Sequence, residues 1–214
     1  MNLTRKPWAP LPNWIREMRV DIADIHAALA KPWEQSSDFD LNPELAAPKS
    51  RVLRPAAVLV GLWSRPDGVR LILTKRASHL MHHPGQIAFP GGKVDPGDDN
   101  AEAAALREAE EEIGLPQIRV AIIGHLPAHE TVTGFSITPV LGHIRDDFDP
   151  KPETGEVDEV FSVPLAHVLD PANYGVERRL WRGEWRRYYA VPYGPYYIWG
   201  ATARILRGLA ERMA

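Results

Sequence analysis

Three glutamates, Glu108, Glu111 and Glu112, are spaced for joint work in the run Arg107-Glu108-Ala109-Glu110-Glu111-Glu112-Ile113-Gly114-Leu115. At roughly 100° of helix per residue, offsets of three and four share a face. The three carboxylates therefore stand side by side, with Glu110 on the far side. Like charges this close repel one another unless a cation lies among them. The run offers only oxygen donors, with no Cys or His, and this suits Mg²⁺ or Mn²⁺ as the metal. The alternative is a solvated acidic helix face. Arg107, four residues before Glu111, is placed to orient the carboxylates.

A helix must hold these acids, and its signals are present. Asp98, Asp99 and Asn100 are candidate caps with acids at the positive end. Ala101 to Ile113 is built from good helix formers, and Gly114 with Pro116 stops it. Ala105, Leu106, Ala109 and Ile113 form the neighbouring apolar stripe. Just upstream stands Phe89-Pro90-Gly91-Gly92, where Pro90 rigidifies the chain and the glycines let backbone approach a ligand or metal. Arg76 is able to grip a phosphate through two parallel hydrogen bonds, or to form a salt bridge to the acidic helix.

The remaining elements follow from periodicity. Asn13 is a candidate cap for a first helix bearing Ile15, Met18, Ile22, Ile25 and Leu29, closed by Pro32. Residues 36–49 read as a linker or surface loop. Residues 1–50 are thus expected to be a helix and linker packing on a main domain of residues 51–214. Strands are predicted over 55–63, 69–75, 87–89, 118–126, 135–144 and 159–163, with 146–158 an acidic loop. A hairpin is predicted over 175–181 and 185–191, a short helix over 164–169 and a terminal helix over 198–213. Strands and helices mix without regular alternation, which argues for an α/β fold with a mixed sheet covered by helices on both faces.

Composition narrows the class. The 214 residues carry 25 Lys and Arg against 28 Asp and Glu, a net charge of −3. That gives no general pull toward nucleic acid or anionic membrane. There is no cysteine, so disulfides, thiolate metal sites and a Cys nucleophile are excluded. The absence of Cys fits the cytoplasm. The first residues, MNLTRKPWAPLPNW, lack the long apolar core of a signal peptide. No window approaches 18 unbroken apolar residues, so no membrane partner is expected.

The acidic run resembles the Nudix box, G-x5-E-x7-R-E-U-x-E-E-x-G-U with U apolar. Arg107 to Leu115 matches at every fixed position. The front half departs: Asp99 stands where the family has Glu, and Gly92 lies one residue too far upstream. A second stretch, from Ile72-Leu73-Thr74-Lys75-Arg76-Ala77 through Gly85 to Phe89-Pro90-Gly91-Gly92, resembles the extra signature of the coenzyme A pyrophosphatase branch of Nudix enzymes. Met81 replaces its second Arg, with His82 next door as a charge only when protonated. Ile198-Trp199-Gly200-Ala201-Thr202-Ala203 is also similar to that branch. The resemblance covers roughly residues 51–210.

The resemblance implies an α/β/α sandwich and hydrolysis of the diphosphate of coenzyme A or an acyl derivative to 3′,5′-ADP and 4′-phosphopantetheine or its acyl form. It implies Mg²⁺ or Mn²⁺ held by Glu108, Glu111, Glu112 and the carbonyl of Gly92, with one Glu as base. Glu156 is a further metal ligand or base, or else an acid in a solvated loop. Arg76, His82, Gly85, Phe89 and Gly91 are the substrate-binding candidates. Two alternatives stay open: another nucleoside diphosphate derivative such as a nucleotide sugar, and a non-catalytic ligand sensor. A homodimer is also open. The Arg- and aromatic-rich stretch 178–189 reads first as a protected sheet edge, second as a basic wall near the substrate, and least as a nucleic-acid contact.

Overall fold

Apolar residues alternate along the central strand and so build two cores at once. In β2 (Arg54–Arg65), Ala57 and Leu59 face one side while Val60 and Leu62 face the other. The computed structural model describes residues 20–45 and 50–213. Strand β2 turns into β3 (Gly68–Arg76), with Leu62 opposite Leu71. Beyond that point the two strands part. The first half of β2 pairs with β5 (Gly91–Lys93), while the end of β3 pairs with β4 (Ile87–Ala88). Residues 87–93 thus fill a fork in the sheet.

The other neighbours complete a mixed sheet. Strand β3 pairs antiparallel with β9 (Val157–Pro164), and β2 runs parallel to β8 (Phe135–Ile144). Strand β8 carries β6 (Val120–His125) and β7 (His129–Glu130) along its far edge. Helix α2 (Ala101–Ile113) covers one face, burying Ala104, Ala105, Ala109 and Ile113 against Ala57, Leu59, Ile72, Val140 and Ile144. Truncating Ile113 to Ala would cost about 2–5 kcal/mol by the usual cavity penalty. The opposite face is covered by α1 (Ile22–Leu29), α3 (Leu165–Leu169) and α4 (Ala201–Met213). None of the helices among the described residues is long and apolar enough to cross a membrane.

One expectation lies partly outside the described residues and another changes. The first helix is described only from Ile22, with Asp21 at its N-cap; Asn13, Ile15 and Met18 lie outside the described residues. The segment after it is more than a linker. Ser36–Ser37 forms β1, parallel to β7, and the fully buried His129 ties it down through Ser36 Oγ at 2.9 Å and Asp38 Oδ1 at 3.2 Å. A buried imidazole needs polar partners for both nitrogens, and this need pulls residues 36–38 onto the sheet. Residues 43–45 are a 3₁₀ turn, and 46–49 lie outside the described residues.

The predicted hairpin is a separate two-stranded sheet of β10 (Gly175–Trp181) and β11 (Glu184–Ala190). Its turn residues Arg182 and Gly183 both have positive φ, 52° and 83°, the requirement of a tight two-residue turn. It is joined to the body by an Ala190–Trp199 bridge and by Asn42, whose amide bonds both the N–H and the carbonyl of Arg187.

Candidate active site

Helix α2 begins and ends where its side chains dictate. Asn100 alone caps it, accepting the Ala103 N–H at 2.9 Å; such a cap contributes about 1 kcal/mol. At the other end Gly114 takes φ 67°, and its N–H and that of Leu115 close on Glu110 and Ala109. Asp98 therefore has other work. Its two oxygens accept from Arg107 Nε and Nη2, each at 2.9 Å. That pairing holds the Asp98 carboxyl below its ordinary range and the Arg107 guanidinium above its own. Arg107 Nη1 then donates to Glu108 at 3.0 Å and to Glu111 at 3.1 Å. One guanidinium thus joins the acid before the helix to two acids on it.

The glycines of the fork bring backbone under these carboxylates. A Cβ on Gly91 would lie 2.4 Å from the Ala57 carbonyl oxygen, and φ there is 153°. A Cβ on Gly92 would lie 2.6 Å from Glu108 Oε1. Only glycine fits at 91, and a side chain at 92 would push the Glu108 carboxylate aside. Glu112, 5% exposed, accepts the Gly91 N–H at 3.1 Å. Burial pushes its pKa up to about 7; the Gly91 bond and Arg76 act against this, while Glu108 and Glu156 add to it. Burial also raises Glu108, opposed by Arg107.

Glu156 reaches the cluster because its loop is clamped to the end of α2. Lys151 N–H donates to the Ile113 carbonyl and Glu153 N–H to the Glu112 carbonyl, each at 2.9 Å. The Glu156 side chain is exposed, yet its charge bears on both Glu108 and Glu112. Its carbonyl accepts the Ala77 N–H at 2.8 Å, next to Arg76. Arg76 is within the field of Glu112 but makes no salt bridge with any carboxylate among the described residues. The salt-bridge alternative for Arg76 is therefore not what the fold uses.

The oxygen-rich donor set fits a hard divalent cation. Among the described residues no three His, Asp or Glu groups are already gathered in ligand geometry. Yet Glu108, Glu111 and Glu112 each engage one carboxylate oxygen with protein and leave the other without a partner among the described residues. Burial first, and neighbouring carboxylates second, raise Glu108 and Glu112, and a bound cation would offset both.

Other candidates are placed differently. Phe89 is 4% exposed and packs into the core of the α4 face, so it anchors the Pro90-Gly91-Gly92 turn and offers no surface to substrate. Gly85, with φ 68°, turns the motif loop back so that its N–H meets the Arg76 carbonyl at 3.1 Å. His82 is exposed on that loop, and Met81 is 91% exposed beside it. Sequence reasoning took Asp98 for a cap and weighed Asp99 as the family acid. Asp99 is exposed, and it is Asp98 at 2.9 Å, with Asp95 behind it at 3.7 Å, that meets Arg107 from the approach to the helix.

The sequence matches the family described as NUDIX domain over residues 52–181. Among its relatives is NudL of Escherichia coli strain K12, described as an uncharacterized Nudix hydrolase, 46% identical over 157 residues, 73% of this chain and 81% of that one. NudL of Shigella boydii serotype 4 is 45% identical over the same shares. The solved Nudix hydrolase RenU of M. smegmatis is 25% identical and covers 54% of this chain and 73% of its own, with a TM-score of 0.46. With its family match spanning more than half of its length and these relatives beside it, the chain belongs to the Nudix family and is a Nudix hydrolase.

Proposed function

We propose that the protein hydrolyses the diphosphate of coenzyme A or an acyl-coenzyme A, releasing 3′,5′-ADP and 4′-phosphopantetheine or its acyl form. Nudix hydrolases generally use divalent metal ions. Here Mg²⁺ or Mn²⁺ would be held by Glu108, Glu111, Glu112 and the Gly92 carbonyl. A bound cation supplies positive charge to the diphosphate and acidifies water. The chain's own residues do the rest. Arg107, braced by Asp98, fixes the directions of Glu108 and Glu111. A Glu with an uncommitted oxygen takes the proton of the attacking water; Glu108, Glu111, Glu112 and Glu156 are the candidates. Arg76 grips a phosphate.

The observation that carries the reading is Arg76, a cation without a carboxylate partner among the described residues that stands beside the buried acids on the branch-signature strand. A second reading, a nucleotide sugar or another nucleoside diphosphate as substrate, is favoured by Met81, which lies exposed where the signature has its second Arg. An assay of coenzyme A, dephospho-coenzyme A and a nucleotide sugar, each with Mg²⁺, Mn²⁺ or chelator, tests both. Coenzyme A is expected to have the highest kcat/KM, and chelator to remove all activity. A nucleotide sugar turned over faster than coenzyme A would replace the substrate and leave the diphosphate chemistry.

A further inference from the structure

The β10–β11 hairpin places Arg179 directly opposite Arg186 across the strand pair. Like charges in that position destabilise a hairpin. Neither guanidinium has a carboxylate partner among the described residues. Two Arg186 nitrogens, Nε and Nη1, are buried without any acceptor. What faces them instead is aromatic: Arg186 lies 5.1 Å from the Trp181 ring centre, and Arg179 lies 5.0 Å from that of Trp199. Of the five arginines and two glutamates in residues 175–190, Arg179 and Arg186 share their face with Glu177 and Glu184 but pair with neither. A protein that needed only a protected edge could use isolated charges facing solvent. Two cations opposed on one face and stacked on rings form a place for an anion with a flat group beside it.

This face adjoins the catalytic fork. Gly200, next to Trp199, lies against Gln86: a Cβ there would be 3.8 Å from the Gln86 amide nitrogen. Gln86 accepts the Arg76 N–H through its carbonyl at 3.0 Å, and Thr202 Oγ1 donates to the Ile87 carbonyl at 3.2 Å. Tyr188 tilts onto Trp199 with ring centres 5.0 Å apart, and its hydroxyl lies 3.4 Å from that of Tyr197, which is 44% exposed. Neighbouring contacts therefore lead from Arg76 through Gln86 to Gly200, and from the adjacent Trp199 to Tyr188 and Arg179, as a rim.

We propose that this rim is a second substrate subsite, which takes the nucleoside end of the diphosphate: a phosphate on Arg179 and Arg186, and the base against Tyr197 and Tyr188. It rests on the diphosphate-hydrolase reading and deepens it. The hairpin supplies the cationic contact that Met81 does not. A stacked base and a paired phosphate are independent contacts, so they are separable by substitution.

The test is calorimetric titration of the full chain with 3′,5′-ADP and with 5′-AMP as probes, alongside coenzyme A hydrolysis by the same preparations. Arg179→Gln should weaken 3′,5′-ADP by about ten- to a hundred-fold, the range for one lost charge-assisted contact, and 5′-AMP by less. Tyr197→Ala should weaken both alike. Arg179→Lys keeps the charge, loses the planar fork and should fall between parent and Gln; it guards against a variant that merely misfolds, as does an unchanged circular dichroism melt. No measurable probe binding by the parent, or equal dissociation constants for parent, Arg179→Gln and Tyr197→Ala, overturns the subsite. If coenzyme A is still hydrolysed in that case, the proposed function stands without it. If coenzyme A is not hydrolysed but nucleotide binding falls as stated, the subsite stands and the coenzyme A reading fails.

Discussion

Replacing Glu112 with Gln should stabilise the metal-free protein, and only at neutral to alkaline pH. Glu112 is buried, and its pKa lies at about 7 against 4.5 for the free group. A raised carboxyl holds its proton more tightly folded than unfolded. The folded state is therefore penalised as pH climbs from the unfolded value through about 7, and fully penalised above that. The gap between the two values corresponds to about 3 kcal/mol. Gln keeps the shape, and its carbonyl can still accept the Gly91 N–H. For a chain of this length, about 2–4 °C accompanies each kcal/mol, so Glu112→Gln should melt about 6–12 °C above the parent near pH 8 in chelator. Near pH 4.5 the two should melt together. Saturating Mg²⁺ should narrow the gap near pH 8, since it stabilises the parent by binding its folded state. Melting curves followed by circular dichroism at both pH values decide the matter. A gap of equal size at both, or none near pH 8, would refute the reasoning that a buried, unrelieved carboxylate sits there.

Other outcomes follow from single contacts. Asp98→Asn removes the charge that braces Arg107; kcat should fall while KM changes little, whereas Asp99→Asn, at an exposed position, should leave both near the parent values. Arg76→Ala should raise the KM for coenzyme A by about ten- to a hundred-fold, the usual cost of a lost charge-assisted contact, and steady-state kinetics at saturating Mg²⁺ would show it. His129→Leu leaves Ser36 and Asp38 without their buried partner; hydrogen exchange at residues 36–38 should speed up, and unchanged exchange would show that the histidine does not hold this segment.

Much of this was legible because local patterns and the tertiary fold agree. The period of the glutamates placed Glu108, Glu111 and Glu112 together, and the strand over 135–144 has the bounds that alternation predicts. What could not be read was pairing at a distance. Nothing local marks β1 and β7 as strands: each has two residues and owes its place to His129, more than ninety residues away in sequence from Ser36. Gly91 and Gly92 read as backbone able to approach a ligand or metal, but that they form a strand beside Ala57 and Val58, in the fork between β2 and β3, had no local signal. Phe89 belongs to the same motif as Arg76, but the pleat turns its ring into the core. Glu156 was weighed as a metal ligand or base against a solvated loop acid; the clamp of residues 151 and 153 on the end of α2, which brings its exposed side chain near the cluster, is a tertiary contact with no signature in composition.

The central claim is that the acid cluster of α2 cleaves the diphosphate of coenzyme A. It is tested most directly by incubating coenzyme A with parent and with Glu112→Gln, each with Mg²⁺ or chelator, and identifying products by mass. The account expects 3′,5′-ADP and 4′-phosphopantetheine in equal amounts from the parent with Mg²⁺, and next to none from the other three reactions. Intact coenzyme A after incubation with the parent and Mg²⁺, or the same two products formed at a similar rate by Glu112→Gln, would contradict it.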